Sequence, residues 1–98
     1  MWTPFDSTDG REGSENGTII RDDEHAMGAR ITLERDTPTA PFAITCGVYG
    51  WMVHTRFFAT EAEALAQFKE MKNALESILM MPRDSVSEGL TQFIQKYP

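Results

Sequence analysis

The sequence predicts an α+β domain: a four-stranded antiparallel sheet, laid out as a meander of two hairpins, with a long amphipathic helix on one face and a short C-terminal helix beside it. Three observations carry this expectation. Two apolar, strand-like runs flank a Tyr49-Gly50 turn. An alternating run from Ala29 to Glu34 precedes them. After them, Thr60 and Glu63 form a capping box that opens a stretch of helical periodicity.

The N-terminal residues 1–17 read as a flexible tail and residues 18–98 as a single domain. Asp6 to Gly17 is polar and glycine-rich and offers no apolar face to bury. Trp2 and Phe5 are the two aromatics in that tail, available to dock on the domain or on a neighbouring copy. Thr18 to Arg21 then reads as a short strand, Asp22-Asp23-Glu24-His25 as the turn after it, and Ala26 to Arg35 as a half-buried strand. In the latter, Ala29, Ile31 and Leu33 share one side, with Arg30, Thr32 and Glu34 on the other. Pro38 and Pro41 make 36–41 a connector, because proline cannot donate to a central ladder.

The second hairpin is the organising stretch. A two-residue turn at Tyr49-Gly50 pairs Val48 with Trp51, Cys46 with Val53, Ile44 with Thr55 and Phe42 with Phe57. That register gathers the strong apolar side chains on one face, and a one-residue slip would scatter them. The opposite face then carries Ala43, Thr45, Gly47, Met52, His54 and Arg56.

Ala64, Leu65, Phe68, Met71, Leu75, Ile78 and Leu79 follow the capping box at helical spacing, and Pro82 ends the helix near Met81. Each large side chain of that stripe contributes roughly 1.5–3 kcal/mol when fully buried. Ser85 with Glu88 forms a second capping box, followed by Val86, Leu90, Phe93, Ile94 and Tyr97. Gly89 weakens that helix by up to about 1 kcal/mol relative to alanine.

Charge narrows the function classes. The formal net charge of −6, with scattered Lys and Arg, disfavours nucleic acid and anionic membrane, which need clustered cations. It suits solubility or a basic protein partner. No apolar run reaches bilayer-spanning length and the N-terminal residues lack a secretory pattern, so the expected setting is cytoplasmic. With one cysteine, no intramolecular disulfide can form.

Candidate chemistry is sparse. Asp22, Asp23, Glu24 and His25 are metal-ligating types, and His54 is the second histidine that a zinc site would recruit. Neighbours in sequence seldom converge on one ion, and a solvated acidic turn accounts for them without a metal. Asp6, Asp9 and Gly10 lack calcium-loop spacing. Cys46, between Ile44 and Val48, reads as a small buried hydrophobe with His54 on the other face. Gly47 and Gly50 precede a strand rather than a helix, and Glu61 and Glu63 would repel a phosphate at the helix start.

The expected function is a non-enzymatic protein–protein interaction module that self-associates as a homodimer or takes a basic partner, with no cofactor. Thr45, Met52, His54 and Arg56, on the second sheet face, are the expected binding residues. The alternative is a small-molecule or metal-dependent enzyme or ligand-binding domain that uses the His54/Arg56 face.

Overall fold

Apolar alternation along the middle strands and one apolar stripe on the long helix dictate a two-layer arrangement, with a sheet on one side and helices on the other. The computed structural model of the chain describes residues 1–5 and 10–98. Its elements are β1 (Trp2–Pro4), β2 (Thr18–His25), β3 (Ala29–Arg35), β4 (Phe42–Val48), β5 (Met52–Phe58), α1 (Glu61–Leu79) and α2 (Arg83–Lys96). The sheet is an antiparallel meander in the order β1-β2-β3-β4-β5. It has five strands rather than the expected four. The additional strand comes from Trp2–Pro4, whose residues pair with His25, Glu24 and Asp23.

Both aromatics of the N-terminal segment dock on the domain. The Trp2 indole donates to the Lys72 carbonyl at 3.2 Å and meets the His25 ring edge-on at 5.2 Å. Phe5 lies under the Arg30 guanidinium, 3.7 Å from its ring centre. Asp6 and Asp9, whose spacing does not fit a calcium loop, lie outside the described residues.

The core fills the space between the sheet and α1. Ala29, Ile31 and Leu33 of β3 and Ile44, Cys46 and Val48 of β4 face Ala64, Phe68, Met71, Leu75, Ile78 and Leu79 of α1 in one buried cluster. The Thr60 hydroxyl accepts the Glu63 amide at 3.3 Å, which is the threonine half of the expected capping box. Leu65 and Ile94 sit at the margins of their stripes and remain more than a third exposed.

The second capping box does not form. α2 begins at Arg83 after Pro82, which places Ser85 inside the first turn, where its amide donates to the Pro82 carbonyl. Gly89 has a packing role: a Cβ there would sit 3.1 Å from Met81 Sδ and 3.3 Å from Ile78. Glycine thus lets α2 approach α1 closely, which offsets its poor helix propensity.

The acidic stretch 22–25 is strand, not turn; the turn falls at 26–28. Alternation sends Asp22 and Glu24 to one face, and Asp23 and His25 to the other. On the helix side, Lys72 pairs with Asp23, and His25 Nε2 lies 3.0 Å from a Glu76 oxygen. His25 Nδ1 accepts the Met27 amide, the N-terminal ammonium of Met1 lies 2.5 Å from Nε2, and Nε2 also shares a hydrogen bond with Glu76. That bond holds the Glu76 carboxyl below its ordinary range.

Candidate functional site

The site is defined by the register of β4 on β5, which differs from expectation by one residue. Val48 pairs with Met52, Cys46 with His54, Ile44 with Arg56 and Phe42 with Phe58. The loop is three residues, Tyr49-Gly50-Trp51, closed by the Trp51 amide on the Val48 carbonyl at 2.9 Å. Only Gly50 has a positive φ, +80°, whereas the two-residue primed turn would also require one at Tyr49. The bulk of Tyr49, which keeps a negative φ, therefore selects the longer loop, and every side chain of β5 changes face.

The four expected binding residues are accordingly divided. Met52, His54 and Arg56 lie on the helix side of the sheet, and Thr45 alone keeps the opposite face. His54 Nε2 donates to the Tyr97 carbonyl at 2.6 Å. Arg56 reaches Gln67 Oε1 at 2.7 Å and the Pro98 carbonyl at 3.2 Å. The edge of the core tolerates these polar groups because α1 and the residues after α2 present acceptors there. Their bonds tie α2 to the sheet, and the Tyr97 hydroxyl completes the set by donating to Glu70 at 2.9 Å.

The same shift places His54 directly across from Cys46, on its own face. A Cys–His pair can generate a nucleophile only if the imidazole takes the thiol proton. Here burial pushes the Cys46 thiol up to about 12, so it keeps its proton beside the imidazole, while His54 spends its Nε2 proton on the Tyr97 carbonyl as a tie between the sheet and the C-terminal residues. Cys46 is expected to resist a disulfide reagent at pH 8 in the native protein and to react fully once unfolded in urea. Labelling at equal rates in both states would contradict this burial.

Asp22, Asp23, Glu24 and His25 do not converge. They alternate between the two faces, and His54 stands three strand spacings away, about 14 Å across the sheet. Among the described residues, no group of three or more His, Cys, Asp or Glu side chains could hold a metal ion.

What the helices leave open is the other face. Arg30, Thr32, Thr45 and Gly47 form the floor of a cavity of about 680 Å³. One wall is Glu12-Gly13-Ser14 with Ile19; the other is the Tyr49-Gly50-Trp51 loop with Val53. The first wall is held by the Glu34 carboxylate, which is fully buried. It accepts the Gly17 amide at 3.0 Å and the Glu15 amide at 3.2 and 3.3 Å. Gly13 must be glycine for this, since a Cβ would lie 2.3 Å from the Glu34 side chain. The glycine run thus wraps a carboxylate that points out of β3.

The polar groups on the floor are engaged with one another. Asp22, buried, accepts two bonds from Arg30, at 2.9 and 2.6 Å, and one from Thr32 at 3.2 Å. The carboxylate holds the Arg30 guanidinium charged and raises its pKa. Thr45 and Thr55 share a hydroxyl bond at 3.2 Å, and the Tyr49 hydroxyl donates to Glu24 at 2.8 Å. The rim is apolar and solvent-facing: Val53 is 78% exposed, Tyr49 53% and Trp51 43%, and Phe57, farther along the same face of β5, is 44% exposed.

Trp51, Val53 and Phe57 were expected in the core, so this surface was not legible as one. The signal that could have found it is Tyr49, a bulky residue that a primed turn would force to a positive φ, whereas an unprimed turn needs one only at Gly50. Among the described residues, no helix is long and apolar enough to cross a membrane. A comparison with protein-family models, curated proteins and solved structures finds no match to this chain.

Proposed function

We propose that this chain is a non-enzymatic interaction module that receives a polypeptide partner on the open face of its sheet. The observation that carries this is the apolar rim of Tyr49, Trp51 and Val53 around a concave floor whose polar groups are already paired. Aromatic side chains at the edge of a concavity supply large contact area at low entropic cost. The floor offers little to a charged substrate. The acidic balance of the chain suits a partner with basic residues flanking an apolar anchor.

The test uses a random-peptide library displayed on phage. Selected peptides should be rich in apolar side chains and should shift the amide resonances of Thr45, Gly47, Trp51 and Val53. Shifts confined to α1 and α2, or no enrichment over a Val53→Lys variant, would overturn it.

A second reading rests on the cavity volume, which falls within the range of small-molecule pockets. The ligand class would be uncharged and largely apolar, and it would occupy the Thr45 side of the sheet rather than the His54/Arg56 side. Shifts of those same resonances by an uncharged fragment set, without peptide enrichment, would favour it.

A further inference from the structure

The sheet has two edges, and they are unlike. At one, β1 is three residues long and ends in Pro4, a device that blunts strand addition. At the other, β5 is seven residues long, contains no proline, and pairs with no further strand among the described residues.

The hydrogen-bonding parity of β5 follows from the loop. The Tyr49 amide bonds back to the Gly28 carbonyl, on the β3 side of β4. Backbone groups alternate in direction along a strand, so Val48, Cys46, Ile44 and Phe42 direct theirs toward β5. Their partners Met52, His54, Arg56 and Phe58 are thereby used. Val53, Thr55 and Phe57 are left with their N–H and C=O groups directed outward from the edge.

Resting on the reading of the chain as an interaction module, we infer that the partner of this edge is a second copy of the chain, joined through β5 in antiparallel pairing centred on Thr55. Such a centre is self-complementary. It sets Thr55 opposite Thr55 and Val53 opposite Phe57 of the other copy, and all three are the residues whose backbone groups point outward. The twofold axis stands perpendicular to the sheet, so both open faces lie on one side. Val53 and Phe57, 78% and 44% exposed, then become cross-strand neighbours. Charge supports the choice. In a chain of net charge −6, β5 carries no acidic residue, so its edge brings no carboxylates of two copies together. The register sets Arg56 opposite the other copy's His54, and both are held on the helix side by bonds to Gln67, Pro98 and Tyr97 of their own chain.

Sedimentation velocity over a concentration series should show a dimer for the natural chain. Thr55→Pro removes an outward N–H that the monomer does not use and should halve the weight-average mass at concentrations where the natural chain is dimeric. Val53→Lys, at a side chain 78% exposed in the monomer, should do the same, which guards against Thr55→Pro failing to fold. In a Cys46→Ala background, Thr55→Cys should form a disulfide-linked dimer under mild oxidation and Val53→Cys should not, because Val53 faces Phe57. A natural chain that stays monomeric, or a dimer unmoved by either edge variant, would overturn the inference. A monomer that still selects peptides on the Thr45 face would leave the interaction module standing, whereas loss of both would remove the two together.

Discussion

Replacing Glu34 by alanine is expected to destabilise the fold by about 3–5 kcal/mol, read as a lowered urea midpoint with little change in slope. The carboxylate is fully buried and accepts the Gly17 and Glu15 amides. Hydrogen bonds to a charged group contribute about 1.5–3 kcal/mol each, and their loss also strands two backbone donors beside an apolar hole. Glu34→Gln keeps one acceptor oxygen but brings an NH₂ toward the same amides, so an intermediate loss is expected. Gly17→Ala should injure the same latch from the other side, since its Cβ would lie 2.5 Å from the Arg35 carbonyl oxygen, a backbone atom that cannot rotate away. The double variant Glu34→Ala with Gly17→Ala should therefore cost clearly less than the sum of the singles. A Glu34→Ala protein as stable as the natural one would mean that residues 13–17 do not grip this carboxylate in solution.

Leu75→Ala is expected to cost about 2–5 kcal/mol, again by urea unfolding. Leu75 is wholly buried, in one cluster with Ile31, Leu33, Ile44 and Met71. Truncation removes its transfer energy and leaves a cavity between two rigid layers that cannot collapse fully. Leu65, ten residues earlier on the same helix, supplies the control: at 37% exposure, its replacement by alanine should stay within about 1 kcal/mol. Against a total stability of roughly 5–15 kcal/mol, the first change removes a large share and the second little. Equal losses at the two positions would show that α1 is rotated relative to the face described.

Local signals made much of the fold legible. α1 was readable because its cap and stripe lie within one segment, from Thr60 to Leu79. β3 was readable because Ala29, Ile31 and Leu33 alternate with polar residues, as a strand buried on one side must. What escaped the sequence was set by partners far away in the chain. Asp22 and Asp23 sit in a strand because Arg30 and Lys72 neutralise them on opposite faces. Trp2–Pro4 became a strand because the outer side of β2 was free to pair and because α1 offered the Trp2 indole a carbonyl. The candidate surface escaped for a subtler reason. Both faces of β5 are credible core faces by composition, and the choice fell to the turn, where Gly50 takes the positive φ and Tyr49 does not.

The two tryptophans stand in contrasting surroundings. Trp2 lies between His25 and α1, while Trp51 stands at the open rim with the Arg83 guanidinium about a ring's width away, 6.0 Å from its centre. The molecule therefore carries two intrinsic fluorophores with separate duties. Emission from Trp2 reports whether the first strand is seated, and the redder, iodide-accessible emission from Trp51 reports whether anything has settled on the exposed side. Single Phe replacements would isolate each colour, and occupancy could then be followed in real time without attaching a dye.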